Sequence, residues 1–227
     1  MKTYTDDLLP KLRYKFESCE LIKTNYSQVY QDMFVLTMLD GKRDGIFVEI
    51  GASHPISINN TFLLESQFNW DGISIDIADF YSFKNTRRSK FLCQDALTID
   101  YKKLFEDHKL PFQIDYLQVD IDPNYNTLSC LKRLPLEDYR FSVITYETDV
   151  YDPNMPRDQA LKNRQESRDI LLSHGYEMLV GNICNLSTSD PFEDWYVDPN
   201  IISKEIIDKM RESSEYNNTA ESYMFDL

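Results

Sequence analysis

The sequence predicts an α/β protein built on a doubly wound, mostly parallel sheet covered by helices in three layers, and three observations carry that expectation. From Gly45 onward, short apolar runs rich in β-branched and aromatic residues alternate with helical stretches. From the second run on, each ends in or just before an acid: Asp76, Asp95, Asp120 and Glu147. Acids at the carboxyl ends of successive parallel strands line one crevice. Near the end of the chain a Gly-Asn pair lies between two β-rich runs, which signals an antiparallel finish.

Each element follows from local chemistry. Residues 1–25 mix Leu8, Leu9, Leu12, Phe16 and Leu21 with charges and Pro10, and read as an N-terminal arm lying over the body. A helix is expected from Ser27, taken as its N-cap, with Val29, Met33 and Leu36, then Phe34 and Met38, at helical spacing until Gly41 stops it. Gly45 to Ser53 is the organising stretch: Ile46, Phe47, Val48 and Ile50 form a buried strand, and Glu49 is placed near its carboxyl end. Gly51 then permits a tight turn and leaves room for a ligand to approach the backbone. A helix over Asn59 to Phe68 packs back on the sheet. Strands follow at Gly72–Ile77, at Lys90–Cys93 and, after a charged helix Tyr101–His108, at Ile114–Ile121 with Asp120 and Asp122 at its end. Thr127–Leu134 reads as a helix closed by Pro135, and Phe141–Tyr146 as a strand running into Glu147. A long polar helix, Arg157–His174, stops at Gly175. Tyr176–Val180 and Ile183–Ser187 are expected to pair as a hairpin across Gly181-Asn182. Pro191 to Pro199 reads as an acidic, aromatic loop and Ser203–Met210 as a last helix. The single main domain is therefore 26–210, and 211–227 is expected to be a mobile acidic tail, with too little to bury against its ordering entropy.

Composition narrows the class. The 227 residues are 42% hydrophobic and 13% aromatic, enough for a sizeable core. A net charge of -14 and a pI of 4.6 argue against duplex nucleic acid or an anionic membrane as partner. No apolar run approaches the ~20 residues of a membrane span, and the first residues lack a signal-peptide pattern, so a soluble, cytoplasmic protein is expected. Cys19, Cys93, Cys130 and Cys184 have no Cys-x-x-Cys spacing, which disfavours a zinc knuckle or a disulfide framework.

The crevice chemistry follows from which groups are missing. A dinucleotide fingerprint needs glycines at three positions, and here Gly51 is followed by Ala52, Ser53, His54 and Pro55. S-adenosylmethionine carries no phosphate, and its site requires acids for an ammonium group and a ribose diol. Glu49 with Gly51 suits the amino-acid end, Asp76 suits a bidentate grip on the ribose, and Asp95 suits the adenine amino group. Bland alternatives stand beside these. Asp76 can cap the next helix, although Asp79 is available for that, and Asp95 can be a turn acid. Asn60 and Thr61 can simply start a helix, and Trp195 can be a lid or an anchor.

The ordered series Tyr26-Ser27-Gln28, Gln31-Asp32, Phe47-Val48-Glu49-Ile50-Gly51-Ala52, Asn59-Asn60-Thr61, Leu64-Glu65, Trp70-x-Gly72, Val119-Asp120-Ile121-Asp122 and Glu193-Asp194-Trp195 resembles the FkbM-type methyltransferases over about Tyr26 to Pro199. The resemblance implies a Rossmann-like class I methyltransferase fold with seven strands, the last reversed, and O-methylation of a hydroxyl on a sugar, glycan or small metabolite. With the residues above, it implies a cofactor set of Gln28, Glu49, Gly51, Ala52, Ser53, Asn60, Thr61, Asp76, Ile77, Asp95, Ala96 and Asp120. His54-Pro55 and Asp122-Pro123 depart from the family pattern, on the cofactor and substrate sides respectively.

Methyl transfer to a hydroxyl needs a positioned acceptor and a base. Asp120, Glu147 and His54 are the candidate bases. His174 also qualifies by type, but it precedes a helix-stopping glycine and so reads as a helix-end group. Asp120, Asp122 and Glu147 are an alternative oxygen cage for a magnesium-like ion. Two other functions compete: a catalytically silent binding module on the same fold, and a nicotinamide-dependent oxidoreductase, which the missing glycines disfavour. Oligomeric state has no signature in the sequence.

Overall fold

The computed structural model describes residues 11–79, 81–148, 150–184, 191–213 and 219–226. Seven strands form one sheet: β1 Ile46–Ile50, β2 Asp71–Asp76, β3 Lys90–Cys93, β4 Gln113–Val119, β5 Arg140–Glu147, β6 Glu177–Cys184 and β7 Pro191–Val197. Their order is β3-β2-β1-β4-β5-β7-β6, parallel except where β7 pairs antiparallel with both β5 and β6. The order reverses between β1 and β4, and that switch point is where open α/β sheets bind ligands.

Helices cover both faces: α1 Gln31–Met38, α2 Phe62–Phe68, α3 Phe83–Thr86, α4 Tyr101–Asp107, α5 Thr127–Leu131, α6 Arg157–Ser173, α7 Lys204–Ser213 and α8 Ala220–Met224. On one face Val48, Ile50, Leu117, Ile144 and Tyr146 pack with Phe105 of α4, Leu131 of α5 and Leu171 of α6. On the other, Phe47, Tyr116, Val143 and Trp195 pack against Met33 and Phe34 of α1. Every residue of α1 is buried, because Leu12, Phe16, Cys19 and Ile22 of the N-terminal segment and Tyr223 to Phe225 of the C-terminal one cover its outer side.

Four expectations are corrected here. The first helix starts at Gln31, not just after Ser27, because buried Asp32 gathers the Tyr26 and Ser27 N–H groups and the Ser27 hydroxyl into a loop instead. Its end is as expected: Gly41 donates to the Leu36 carbonyl at φ +68. The hairpin is not at Gly181-Asn182. β6 runs straight through that pair with Asn182 at φ +58 beside register shifts, and Asn185 to Ser187 lie outside the described residues. The partner strand is Pro191–Val197, read from sequence as a loop. Finally, a mobile tail does not describe 219–226: Tyr223, Met224 and Phe225 are buried, and Phe225 bridges Leu12.

Candidate functional site

Strand register builds the site. Ser74, Glu49, Gln118, Thr145 and Trp195 are neighbours across β2, β1, β4, β5 and β7, so they lie in one row on the face that carries α1. Side chains repeat every second residue along a strand, so Asp76, Asp120, Glu147 and Glu193 form an acidic row just beyond it. A cavity of about 610 Å³ opens over the carboxyl ends of β1, β2 and β4, within the ~300–1,000 Å³ of small-molecule sites. A second hollow, of about 560 Å³, follows the edge strand β3; its Lys84, Arg88 and Lys90 are what keeps a sheet edge solvated, and no nominated site residue lines it.

Of the residues nominated for a cofactor, only Thr61 does not line the main cavity. Gln28, Glu49, Gly51, Ala52, Ser53 and Asn60 come from β1 and the segments beside it, Asp76 and Ile77 from the end of β2, Asp95 and Ala96 from beyond β3, and Asp120 from the end of β4. His54 and Asp122 line it as well. Among the described residues no lysine or arginine does.

Glu49 is 1% exposed and accepts from Ser74 Oγ at 2.7 Å. Burial raises its pKa, opposed by the charge of Arg87 and by hydrogen bonds from Ser74, Thr61 and Asn59. Arg87 is the residue sequence reasoning missed. It donates to the Pro55 carbonyl (3.1 Å), Asn59 Oδ1 (2.9 Å) and Thr61 Oγ1 (2.9 Å), pairs with Glu65 at 3.1 Å, and lies against the rings of Phe83, Phe62 and Phe47. Thr61 is thereby corrected: fully buried, it sits behind Glu49 and holds Arg87. Nothing local marks Arg87 among the neighbouring Arg88 and Lys90, since its role depends on segments that meet only in the fold.

Gly51 is also reinterpreted. It sits at φ +87, and a Cβ there would lie 1.5 Å from the Asp120 carbonyl oxygen. The glycine lets the turn after β1 pack on the end of β4, so the close approach is chain to chain. Asp76 secures the same turn: Oδ2 accepts from Ser53 N–H at 2.8 Å and Oδ1 from Ala78 N–H at 3.1 Å. Helix capping falls to Asp79, which accepts from Phe83 N–H. Asp95 accepts from Leu97 N–H at 2.8 Å, so it is a turn acid that also faces the cavity.

Two acids toward β5 and β7, Asp120 and Glu193, have a raised affinity for a proton. Asp120 keeps some exposure, yet desolvation raises its pKa well above the carboxylate range, helped by the charge of Glu147, by a hydrogen bond with it, and by Asp122 and Asp76. Glu193 is 3% exposed, accepts from Gln31 Nε2 at 2.8 Å, and is pushed up to about 8 by burial and then by Asp120. Glu147 also accepts from Tyr151 Oη at 2.9 Å. The magnesium cage is corrected: among the described residues no three His, Cys, Asp or Glu groups are arranged to hold a metal ion. Asp120 and Glu147 are instead hydrogen-bonded to each other. His54 is corrected as a base, because Nδ1 accepts from Ile56 and Ser57 N–H groups, leaving the proton on Nε2. His174 contacts the Ile170 carbonyl and Glu137 at the end of α6, as a helix-end group does. Trp195 is a buried anchor stacked on Phe34.

No protein-family model matches the sequence, and no curated protein matches it. Among solved structures the chain is similar to a candidate rRNA-methylase from Clostridium thermocellum, at 13% identity over 80% of this chain and 99% of that one, with a TM-score of 0.54. It is also similar to an O-methyltransferase from Bacillus cereus bound to SAH, at 18% identity over 74% of this chain and 80% of that one, with a TM-score of 0.51. The fold is the Rossmann-like, seven-stranded methyltransferase fold.

Proposed function

We propose that this chain is an S-adenosylmethionine-dependent O-methyltransferase of the FkbM type, with residues 26–210 as its methyltransferase domain and a hydroxyl of a sugar, glycan or small metabolite as acceptor. The observation that carries the reading is the cavity wall: Glu49, Asp76, Asp95, Asp120 and Asp122, with no lysine or arginine among the described residues. Such a wall repels a pyrophosphate and attracts a ligand bearing an ammonium and a sulfonium. The wall also contains a buried amide oxygen without a partner, on Gln118, which fits a site made for a polar ligand.

When bound, S-adenosylmethionine supplies a methyl group activated on sulfur. Asp76 holds the ribose diol: the Ser53 and Ala78 N–H groups fix its carboxylate plane and leave each oxygen a second lone pair. Asp95 takes the adenine amino group beside Ala96 and Ile77, and Glu49, Gln28 and Asn60 surround the amino-acid end. Asp120, the member of the Asp120–Glu147 pair that lines the cavity, accepts the acceptor's hydroxyl proton when ionised, and the neighbouring Glu147 raises its affinity for that proton. The net charge of -14 favours a neutral or cationic acceptor over nucleic acid, although the fold also occurs in a candidate rRNA-methylase.

Calorimetric titration tests the reading. SAH should bind in the micromolar range and Asp76→Ala should largely remove that binding; no heat at millimolar SAH would end it. Labelled methyl transfer to a panel of polyols and glycans, with RNA beside them, then identifies the acceptor class, and transfer to RNA alone would overturn that part.

A further inference from the structure

One polar group in the cavity is used neither by the fold nor by the acidic row. Gln118 is 3% exposed and lines the cavity, and its Oε1 has no hydrogen-bond partner. The register places it between Glu49 and Thr145, yet neither serves it. Glu49 is engaged by Ser74, Thr61, Asn59 and Arg87, and Thr145 by Tyr116 Oη at 2.8 Å. A buried polar group left in this way costs stability unless a ligand completes it.

We propose that Gln118 reads the amino-acid head of the methyl donor, Oε1 accepting from the ammonium and Nε2 donating to the carboxylate. The assignment rests on the S-adenosylmethionine reading and adds the residue that recognises the zwitterion. Asp76 and Asp95 place the nucleoside over β2 and β3, so the head falls over β1 and β4, where the buried Gln118 amide oxygen is without a partner. A carboxamide has one accepting and one donating end, as a zwitterion requires. It also adds no further charge to a wall that already carries five acids.

The test compares SAH with 5′-methylthioadenosine, which keeps adenine, ribose and sulfur but lacks the amino-acid head. Full-length wild type, Gln118→Leu and Gln118→Asn are titrated with both and melted without ligand. SAH affinity should fall about tenfold or more in each variant, because a hydrogen bond to a charged group is lost. Methylthioadenosine affinity should change by less than about twofold. The ligand-free melting temperature of Gln118→Leu should hold or rise, whereas a purely structural glutamine would lower it. Equal losses for both ligands, or unchanged SAH binding with a raised acceptor KM, overturn the assignment while leaving the methyl-donor reading intact. Wild type that binds neither ligand sinks that reading, and this assignment with it.

Discussion

Replacing Arg87 with methionine removes the one guanidinium that joins α2, the turn after β1 and Glu49. Its side chain is fully buried and that of Glu65 is 8% exposed, so water screens little of their attraction. Breaking such a pair from one side costs about 3–5 kcal/mol, mostly because a buried carboxylate loses its cation and keeps only the Arg88 and Ser89 N–H groups. The acceptors on Asn59, Thr61 and Pro55 also lose their donor, while a methionine regains some contact with Phe47, Phe62 and Phe83. These terms oppose each other, so a net loss of about 3–5 kcal/mol is expected, a large part of the ~5–15 kcal/mol typical of a domain. Urea unfolding of the wild type, Arg87→Met, Glu65→Gln and the double variant measures it. Neutralising Glu65 should recover about 1–2 kcal/mol of the Arg87→Met loss, since the orphaned charge is gone. Arg87→Met should also weaken SAH binding, because Glu49 and the turn lose their cation. A single-variant loss under about 1 kcal/mol, or strictly additive costs in the double variant, would refute the account.

Three further outcomes follow from the same geometry. Gly51→Ala forces a Cβ against the Asp120 carbonyl at φ +87 and should cost at least about 2 kcal/mol and abolish SAH binding; a melting temperature within about 2 °C of wild type would contradict it. Glu193 keeps its proton in the fold up to about 8, whereas the unfolded chain releases it near 4.5. Between those values the folded state holds an extra proton, so stability falls as pH rises, by about 1.4 kcal/mol per pH unit from this group. Glu193→Gln should flatten that slope in urea midpoints from pH 5 to 8, and parallel lines would show the carboxyl ionises freely. Deleting 219–227 removes the buried Tyr223, Met224 and Phe225 from the outer side of α1 and should cost more than about 4 kcal/mol; an unchanged midpoint would mean that this layer contributes nothing.

The sheet and most of its acids were legible because their signals are local. A run such as Ile46–Ile50 excludes water on both faces wherever it is placed, and an acid at its end has few places to go except the crevice. That is why Glu49, Asp76, Asp95 and Asp120 meet on one cavity wall as expected. Gln118 interrupts the run Ile114–Val119, but its place beside Glu49 and its unpaired amide oxygen appear only with the fold. Local signals also misled where two structures satisfy the same preference. The positive φ of Asn182 suits a bulged strand as well as a turn, and before α1 the Ser27 hydroxyl donates to Asp32 while Gln31 Oε1 takes the Val29 N–H that a Ser27 cap would accept. Tertiary structure alone decided that Arg87 supports Glu49, that Thr61 stands behind it, that Glu147 raises the proton affinity of Asp120, and that Tyr223 to Phe225 pack over α1. Each depends on groups remote in sequence meeting away from water, where burial sets which charges persist and which side chains hold a partner.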